Sequence, residues 1–367
     1  MVTRRQALVA VGASAGIVAS YRPARAAASR PTVALTLPLT GVQATVAKEL
    51  QLGYAAALSD SADLLVLDDE SKAEKTAANM TAFGADSRVI ASTGIVGTPH
   101  AKAALPIAIA AQLPLVGIRS GAGELRDANP WVFHLRASYE QEIEKVLETA
   151  AVFGNLGVMY SEDDFGRGAL AHAEKVAAAK GVKIAAKFGV ERNGSNVKAQ
   201  ADALARAALG GSVGATLLCL IQTPALAATK ELRGTHRLVI PIFGMSFIAT
   251  STLATSRDPA FEGLALVSPF LLARISVAEM ARSFRDRMVA AKTEHLIASP
   301  TAFEGYFYGS VLADAIERGG PSRKAVQSYL LQQRAIEVKQ IPIRFDERRV
   351  GYHYLALLRK TGSMLRA

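Results

Sequence analysis

The amino-acid sequence predicts an α/β fold in two similar halves, each with parallel strands covered by helices. From Thr32 onward, short apolar runs alternate with Ala-rich segments whose apolar residues recur at helical spacing. This alternation breaks near residues 135–142 and then restarts with similar composition. The chain has 367 residues, and a domain with a single hydrophobic core is usually shorter than this, so the length favours two domains.

The predicted elements follow one another in a regular order. The first half is strand TVALTLPL, helix ATVAKELQLGYAAALSD, strand DLLVLDD, helix SKAEKTAANMTAFGAD with Ser71 as its cap, strand VIASTGIVG, helix AKAALPIAIAAQ interrupted at Pro106, and strand LPLVGI. The second half is helix EIEKVLETAAVF, strand LGVMYS, helix GALAHAEKVAAAKG, strand KIAAKFGV, helix VKAQADALARAAL, strand ATLLCLIQ, helix PALAATKELRG and strand LVIPIFG. A long helical region follows from about Ser276, and antiparallel strands are predicted at IEVKQIPIRFDE and YHYLALLRK. Alternating strands and helices are typical of a parallel sheet.

The first 26 residues have the pattern of an export signal. Arg4 and Arg5 precede the apolar stretch QALVAVGASAGIVAS, and the small-x-small sequence Ala24-Arg25-Ala26 follows. The arginine pair resembles a twin-arginine signal, but the next residues match loosely, so either export route is open. An uncleaved N-terminal anchor is the alternative. We expect residues 1–26 to be removed and the mature chain to be periplasmic, because no later segment is long and apolar enough to cross a bilayer.

Composition and motifs argue against several classes of protein. The net charge is +10, but four arginines belong to the predicted signal, and no Lys/Arg run with interleaved aromatic residues predicts a nucleic-acid groove. The single cysteine, Cys219, lies in the apolar run ATLLCLI, so we expect a buried residue with no internal disulfide or CxxC zinc site. No HExxH, Walker or GxGxxG pattern occurs. The sequence therefore predicts no enzyme, no metal and no cofactor.

Loops rich in Gly, Ser and Thr follow five of the predicted strands. They are LTG at 39–41, GIVGTP at 94–99, RSGAG at 119–123, QTP at 222–224 and GMSF at 244–247. Ligands of open α/β sheets bind outside the carboxyl ends of the strands. Such loops supply N–H and hydroxyl donors suited to a carboxylate or a similar acceptor. Each loop alone is consistent with an ordinary turn, but together they predict a ligand pocket.

The stretch SEDDFGRGAL at 161–170 places three carboxylates and one aromatic ring after another predicted strand. A hard-cation site would need more oxygen ligands than this loop offers. Carboxylates at a helix N-terminus accept from free N–H groups and complement the helix dipole. We therefore expect Glu162, Asp163 and Asp164 to cap the helix that follows.

Seven segments also occur in an order and spacing found in one family of proteins. They are LPLTG, GTPHAKAALPIA, PLVGIRSGAGELRD, VFHLRASYEQE, VMYSEDDFGRGAL, FEGYFYGSVLADAI and IRFDE, and they cover essentially the whole mature chain. The series resembles the type I periplasmic substrate-binding proteins of ABC transporters, in the branched-chain amino acid (Leu/Ile/Val-binding) group. The resemblance implies two Rossmann-like lobes joined by three hinge crossovers, with a ligand bound between them. We place lobe 1 at residues 31–137 plus 275–338 and lobe 2 at 138–274 plus 339–367, with hinges around Ala137, Ser268 and Gln340.

The resemblance further implies which residues bind the ligand. The loops at 94–99 and 119–123 would hold its carboxylate through hydroxyls and backbone N–H groups, and Phe165 would pack on its body from lobe 2. The predicted set is Thr40, Gly97, Thr98, Ser120, Gly121, Tyr139, Phe165, Gln222 and Ser246. Two positions depart from the amino-acid-binding pattern. Gln222 stands where a Tyr is common, and Ser246 aligns with the acid that pairs with the ligand's ammonium. A buried ammonium without that acid is unfavourable, so the sequence predicts a carboxylate-bearing ligand that need not carry an ammonium.

The predicted function is a monomeric transport receptor that performs no chemistry. It would capture a small amino acid, amide or organic acid and deliver it to ABC transporter permease subunits. The alternative is a periplasmic sensing module that presents the same cleft to a signalling receptor. An exported enzyme on this scaffold is disfavoured because no nucleophile–base pair is evident, and a sugar-type repressor is disfavoured by the export signal.

Overall fold

In the computed structural model, which describes residues 30–332 and 335–367, two sheets share one strand order. The predicted export signal lies outside the described residues. The strands are β1 (Thr32–Leu37), β2 (Asp63–Asp68), β3 (Val89–Thr93), β4 (Leu115–Val116), β5 (Val132–Phe133), β6 (Leu156–Ser161), β7 (Ile184–Val190), β8 (Ala215–Cys219), β9 (Ile242–Gly244), β10 (Ala265–Ser268), β11 (Ile336–Val338), β12 (Ile341–Ile343), β13 (Ala356–Thr361) and β14 (Met364–Arg366). The first sheet has the order β2-β1-β3-β4-β5, and the second repeats it as β7-β6-β8-β9-β10, all parallel. β13 and β14 extend the second sheet as antiparallel strands, and β11–β12 forms a separate antiparallel hairpin.

Helices connect these strands, as a parallel arrangement requires. They are α1 (Ala44–Leu58), α2 (Ala73–Ala85), α3 (Thr98–Ala110), α4 (Tyr139–Ala150), α5 (Asp164–Ala179), α6 (Val197–Leu209), α7 (Gln222–Lys230), α8 (Ser251–Thr255), α9 (Glu279–Ala290), α10 (Pro300–Gly319) and α11 (Arg323–Gln332). The predicted α/β class with two parallel-sheet lobes is confirmed. Cys219 is buried within β8, as its apolar neighbours indicate.

The predicted cap of α2 is wrong. Lys72, not Ser71, is the N-cap residue of this helix. Ser71 adopts φ +58°, and its N–H donates to Asp69 Oδ1 at 3.0 Å. The Asp69 carboxylate therefore closes the turn that the Ser71 hydroxyl was expected to cap.

α3 begins earlier than its apolar pattern predicts. It starts at Thr98 instead of Ala101, and Pro106 lies inside it. The signal for this start is Gly97 before the helix and Pro99 in its first turn. Gly97 has φ +100°, a conformation that glycine adopts without strain. Proline is tolerated in the first helical turn, because the N–H that it lacks would have no partner within the helix. This start places Thr98 at the carboxyl edge of the first sheet.

The chain passes between the two sheets three times, after β5, β10 and β12. α4 packs on α5 and β10, α9 and α10 pack with α1, and β13 rejoins the second sheet. A capping box fixes the first passage, because Ser138 Oγ accepts from the Gln141 N–H while the Gln141 side chain accepts from the Ser138 N–H. The residue limits of the lobes and the hinge positions stay predictions.

Close contact between α1 and α10 fixes the position of α10 at the edge of the first sheet. A Cβ on Gly53 would lie 2.1 Å from the Ala302 carbonyl oxygen, and one on Gly305 would lie 2.4 Å from that of Leu50. Only glycine permits backbones to approach this closely. The first turns of α10 are thereby held where Thr301 and Glu304 reach the space between the sheets.

Candidate ligand-binding site

Three hydroxyl groups meet between the two sheets. Thr98 Oγ1 lies 3.0 Å from Ser120 Oγ, and the Tyr139 hydroxyl donates to Ser120 Oγ at 3.3 Å. All three residues are buried. Gly121 lies against the same tyrosine, since a Cβ there would be 2.6 Å from the ring. The structure thus brings together four predicted residues, and we call Thr98, Ser120 and Tyr139 the hydroxyl cluster.

Three aromatic rings pack beside these hydroxyls. The ring centroids of Tyr139 and Phe165 are 5.2 Å apart, and those of Phe165 and Phe247 are 4.9 Å apart. Tyr139 and Phe247 are 5.9 Å apart. We call Tyr139, Phe165 and Phe247 the aromatic cluster. Phe247 lies in a predicted strand-end loop but is not in the predicted set, although an aromatic residue directly after Ser246 was the available signal.

Four buried charged residues lie next to the aromatic cluster, and none of them is in the predicted set. Arg119 Nε donates to Glu304 Oε2 at 2.8 Å, and Arg136 Nη1 donates to Glu304 Oε1 at 3.1 Å. Arg136 Nη2 also donates to Glu142 Oε1 at 2.7 Å. Burial opposes the charged form of Arg136, but Glu304 and Glu142 outweigh it and raise its pKa. We call these four residues the ion network.

Phe247 lies beneath both guanidinium groups of the ion network. The Cζ atoms of Arg119 and Arg136 are 4.6 and 5.3 Å from its ring centroid. A cation over an aromatic face is attracted by the ring quadrupole, more strongly when water is excluded. The charged and aromatic parts of the site therefore form one continuous structure.

Ser246 is engaged with the ion network. Its N–H and its Oγ donate to the Glu142 carboxylate at 3.1 and 2.9 Å, and its Oγ accepts from Arg136 Nη2. An acid, Glu142, therefore does lie beside Ser246, the position at which the amino-acid-binding pattern has an acid and this sequence has none. That acid, Glu142, is already paired with Arg136, so it is not an unpaired counter-charge for an ammonium.

The other predicted residues lie around this centre. Gly97 precedes the hydroxyl cluster, and a Cβ there would be 3.6 Å from Arg192 Nη2. Gln222 begins α7, and its Nε2 donates to Thr250 Oγ1 at 2.8 Å. Thr40 is exposed, and its hydroxyl donates to Asp68 Oδ2 at 2.7 Å at the end of β2. Thr40 is thus bonded away from the hydroxyl cluster.

The acids of the SEDDFG stretch have separate roles. Asp163 caps α5, since its Oδ1 accepts from the Gly166 N–H at 2.9 Å, and it also pairs with Arg192. Asp164 lies in the first turn of α5 and pairs with Lys102 of α3 at 3.0 Å. The capping interpretation is confirmed for Asp163, and the pair with Lys102 joins α5 to α3.

A histidine and an aspartate are buried at the edge of this contact. His100 Nδ1 lies 2.8 Å from Thr76 Oγ1 and 3.9 Å from Asp69 Oδ2. Burial, followed by the positive charge of Arg192, lowers the pKa of His100 to about 4. Burial raises the pKa of Asp69 to about 6. Both groups are therefore held towards their neutral forms.

Further hydrogen bonds join the two sides. The Glu49 carboxylate accepts from the Ser251 N–H at 3.1 Å and also from the hydroxyls of Ser251 and Ser299. Thr223 Oγ1 donates to the Val42 carbonyl at 3.0 Å, and Thr301 Oγ1 donates to the Ala249 carbonyl at 2.7 Å. The helices of the first sheet thus contact the loops of the second directly.

Within residues 30–332 and 335–367, no three His, Cys, Asp or Glu side chains converge as a possible metal site. The same part of the chain contains no helix long and apolar enough to span a membrane.

Comparison with known proteins agrees with this architecture. A family model described as periplasmic binding protein matches residues 31–358, whereas no curated protein matches. A substrate-binding periplasmic protein from Ralstonia solanacearum is 29% identical, with a TM-score of 0.83, 91% of this chain covered and 99% of that chain. A substrate-binding protein from Desulfitobacterium hafniense in complex with Leu is 18% identical, with a TM-score of 0.73, covering 92% of this chain and 99% of that one. A solute-binding protein from R. palustris in complex with benzoate is 16% identical, with a TM-score of 0.80, covering 92% and 95%. The latter two proteins share the fold of this chain. Because the family model matches nearly the whole described chain, this protein belongs to the periplasmic binding protein family, with the type I fold.

Proposed function

We propose that this protein is a solute-binding receptor of the periplasm, which captures a small carboxylate-bearing molecule between its lobes and delivers it to an ABC importer. One observation carries the proposal. The hydroxyl cluster and the aromatic cluster meet between the two sheets and share Tyr139. Parallel sheets bind ligands at the carboxyl ends of their strands, where Thr98, Ser120 and Phe165 lie.

The donors of this site favour a carboxylate. Thr98 and Ser120 offer hydroxyls, and the first turn of α3 offers N–H groups without intrahelical partners. A helix N-terminus also favours negative charge. The ligand need not carry an ammonium, because Glu142 is already paired with Arg136.

The proposed ligand contacts are the predicted set, with Thr40 acting only at the edge of the site. Solved relatives bound to Leu and to benzoate hold carboxylates on the same fold, which supports the ligand class. The receptor would act as a monomer in the periplasm after removal of residues 1–26, perform no chemistry, and present its closed form to the permease subunits.

A thermal-shift screen over amino acids, amides, and aliphatic and aromatic acids tests the ligand class, with calorimetry on each compound that raises the melting temperature. We expect stabilisation by carboxylates and little by the matching amides. Stabilisation confined to uncharged compounds would contradict the proposal.

Uptake of the compound identified in this way tests delivery. Deleting the gene should abolish high-affinity uptake if the protein serves an importer. Unchanged uptake, together with loss of a transcriptional response to the compound, would instead establish the sensing module.

A further inference from the structure

We propose that Arg119 binds the carboxylate of the ligand, and that the ligand is an aromatic monocarboxylate, an inference that rests on the proposed receptor function. Arg119 opens the loop RSGAG and precedes Ser120 of the hydroxyl cluster. It was not among the residues that the sequence predicted.

Arg119 is a buried cation with one nitrogen left without a partner. The residue is 2% exposed. Nε donates to Glu304 Oε2 at 2.8 Å and Nη2 to Thr301 Oγ1 at 3.3 Å, while Nη1 has no hydrogen-bond partner. A buried donor without an acceptor is unfavourable, more so on a charged group, and native structures seldom contain one. An oxygen of a bound ligand would complete the set.

The position of this guanidinium links the polar and apolar parts of the site. Its own backbone carries it beside the hydroxyl cluster, since the Gly97 N–H donates to the Arg119 carbonyl at 3.1 Å. Its side chain lies over Phe247 of the aromatic cluster, at 4.6 Å. A carboxylate held by Arg119 and Ser120 would therefore have an aromatic surface next to it.

The second guanidinium over Phe247 also has a donor without a partner. Arg136 Nε is buried and makes no hydrogen bond. A guanidinium nitrogen donates and cannot accept a hydrogen bond. Both arginines beside the aromatic cluster therefore offer a donor that suits a carboxylate oxygen and not an ammonium.

Charge balance argues against a ligand with two negative charges. Arg119 and Arg136 are matched by Glu142 and Glu304. The site thus has hydrogen-bond donors for an anion but no surplus of positive charge that would hold a dianion. A single carboxylate meets both conditions.

The body of the ligand follows from the aromatic cluster. Phe165 and Phe247 carry no polar atom on their side chains, and their rings lie 4.9 Å apart at 39°. Aromatic rings prefer offset or edge-on contact with other rings. A planar ring entering beside Phe165 and Phe247 gains this contact while its carboxylate reaches Arg119.

Calorimetry with benzoate, benzamide and cyclohexanecarboxylate tests the inference on the full mature chain. Benzoate and benzamide have nearly the same shape and differ in charge. We expect benzoate to bind at least about tenfold more tightly than benzamide, equivalent to about 1.4 kcal/mol. We also expect benzoate to bind more tightly than cyclohexanecarboxylate, which lacks the aromatic ring.

The variant Arg119→Gln, combined with Glu304→Gln to keep the charges balanced and the chain folded, should reduce the preference for benzoate over benzamide below about threefold, equivalent to about 0.7 kcal/mol. Arg119→Lys keeps the charge but not the fork of donors, and should weaken benzoate binding by a smaller factor. Arg282→Gln makes the same change on an exposed part of α9 and should leave the preference unchanged.

The possible results separate the inference from the function on which it rests. If benzoate binds and the double variant keeps its preference, Arg119 does not hold the carboxylate, although the receptor function stands. If benzoate fails to bind while aliphatic acids or leucine bind, the aromatic class is wrong. If no carboxylate binds to the folded protein, the proposed function itself fails.

Discussion

The two lobes share one strand order but present different chemistry at their carboxyl edges. The edge of the first sheet supplies Thr98, Arg119 and Ser120, whereas the edge of the second supplies Phe165 and Phe247. Since the sheets are alike, the difference comes from the loops alone. The topology thus determines where recognition groups stand, and the loop residues determine what they recognise. A ligand with one polar end and one apolar end fits this asymmetry.

The largest expected effect is on the free energy of unfolding, when the ion network between the two edges is broken. Glu304→Gln removes a buried charge that partners both Arg119 and Arg136. Breaking a buried ion pair typically costs about 3–5 kcal/mol, because the remaining charge is left without compensation. We expect a loss of this size in the free energy of unfolding, measured with urea.

Glu317→Gln is the matched control for this prediction, since Glu317 lies on the same helix and is exposed. It should change the free energy of unfolding by less than about 0.5 kcal/mol. A loss below about 1 kcal/mol in Glu304→Gln would mean that the ion network is not a stabilising link between the lobes.

The second prediction sharpens the contrast through the ligand. Leucine and 4-methylpentanoate differ in the ammonium group, and Glu142, the acid that contacts Ser246, is already paired with Arg136. A buried ammonium would keep only neutral hydrogen bonds, so we expect 4-methylpentanoate to bind about a hundredfold more tightly, or about 2.7 kcal/mol. Calorimetry on the pair measures the difference. A tenfold preference for leucine would show that an acid in the cleft does serve the ammonium.

The sequence was sufficient for the fold and for the residues that lie within strand-end loops. Apolar periodicity located most of the helices and strands, and the order of motifs brought Thr98, Ser120 and Tyr139 into one site. The cap of α2 and the start of α3 were missed, because they depend on the backbone angles of Ser71 and Gly97 instead of on apolar spacing.

The ion network could not be predicted from one sequence. Arg136 and Glu304 are 168 positions apart, and their meeting depends on how α10 packs against α1 through Gly53 and Gly305. Arg136 lies in VFHLRASYEQE and Glu304 in FEGYFYGSVLADAI, but neither segment shows that its charged residue is buried and not on the surface. Phe247 was missed for a related reason, because its packing against Phe165 joins loops from separate strands.

The third prediction concerns the polar edge of the first sheet. Ser120→Ala removes the hydroxyl that joins Thr98 and Tyr139. We expect affinity for the carboxylate ligand to fall by about 1–3 kcal/mol, measured by calorimetry. Thr81→Ala is the control, because its exposed hydroxyl bonds only within α2. An unchanged affinity in Ser120→Ala would remove this loop from the site.

The smallest effect is expected where His100 of the first lobe, beside Asp69, faces Arg192 and Asp163 of the second. His100 also contacts Thr76, and Glu74 adds a weak attraction for its proton. The pKa of His100 falls from 6.5 to about 4 on folding, so its contribution to stability is complete above pH 6.5 and is lost as the pH drops towards 4. The pKa of Asp69 rises from 3.8 to about 6, so its contribution is complete below pH 3.8 and is lost as the pH rises through 6.

Between pH 6 and 4 these two contributions change in opposite directions as the pH changes, and each amounts to about 1–2 kcal/mol of stability at pH 5. The free energy of unfolding of the wild type should therefore change little because of this pair. His100→Gln leaves Asp69 alone, and this variant should gain stability between pH 7 and pH 5. Asp69→Asn leaves His100 alone and should lose stability over the same interval. Urea unfolding at both pH values measures the change, with His295→Gln, an exposed histidine, as the control. If both variants follow the wild-type profile, the edge between the lobes does not hold these groups neutral, and closure there would be independent of pH.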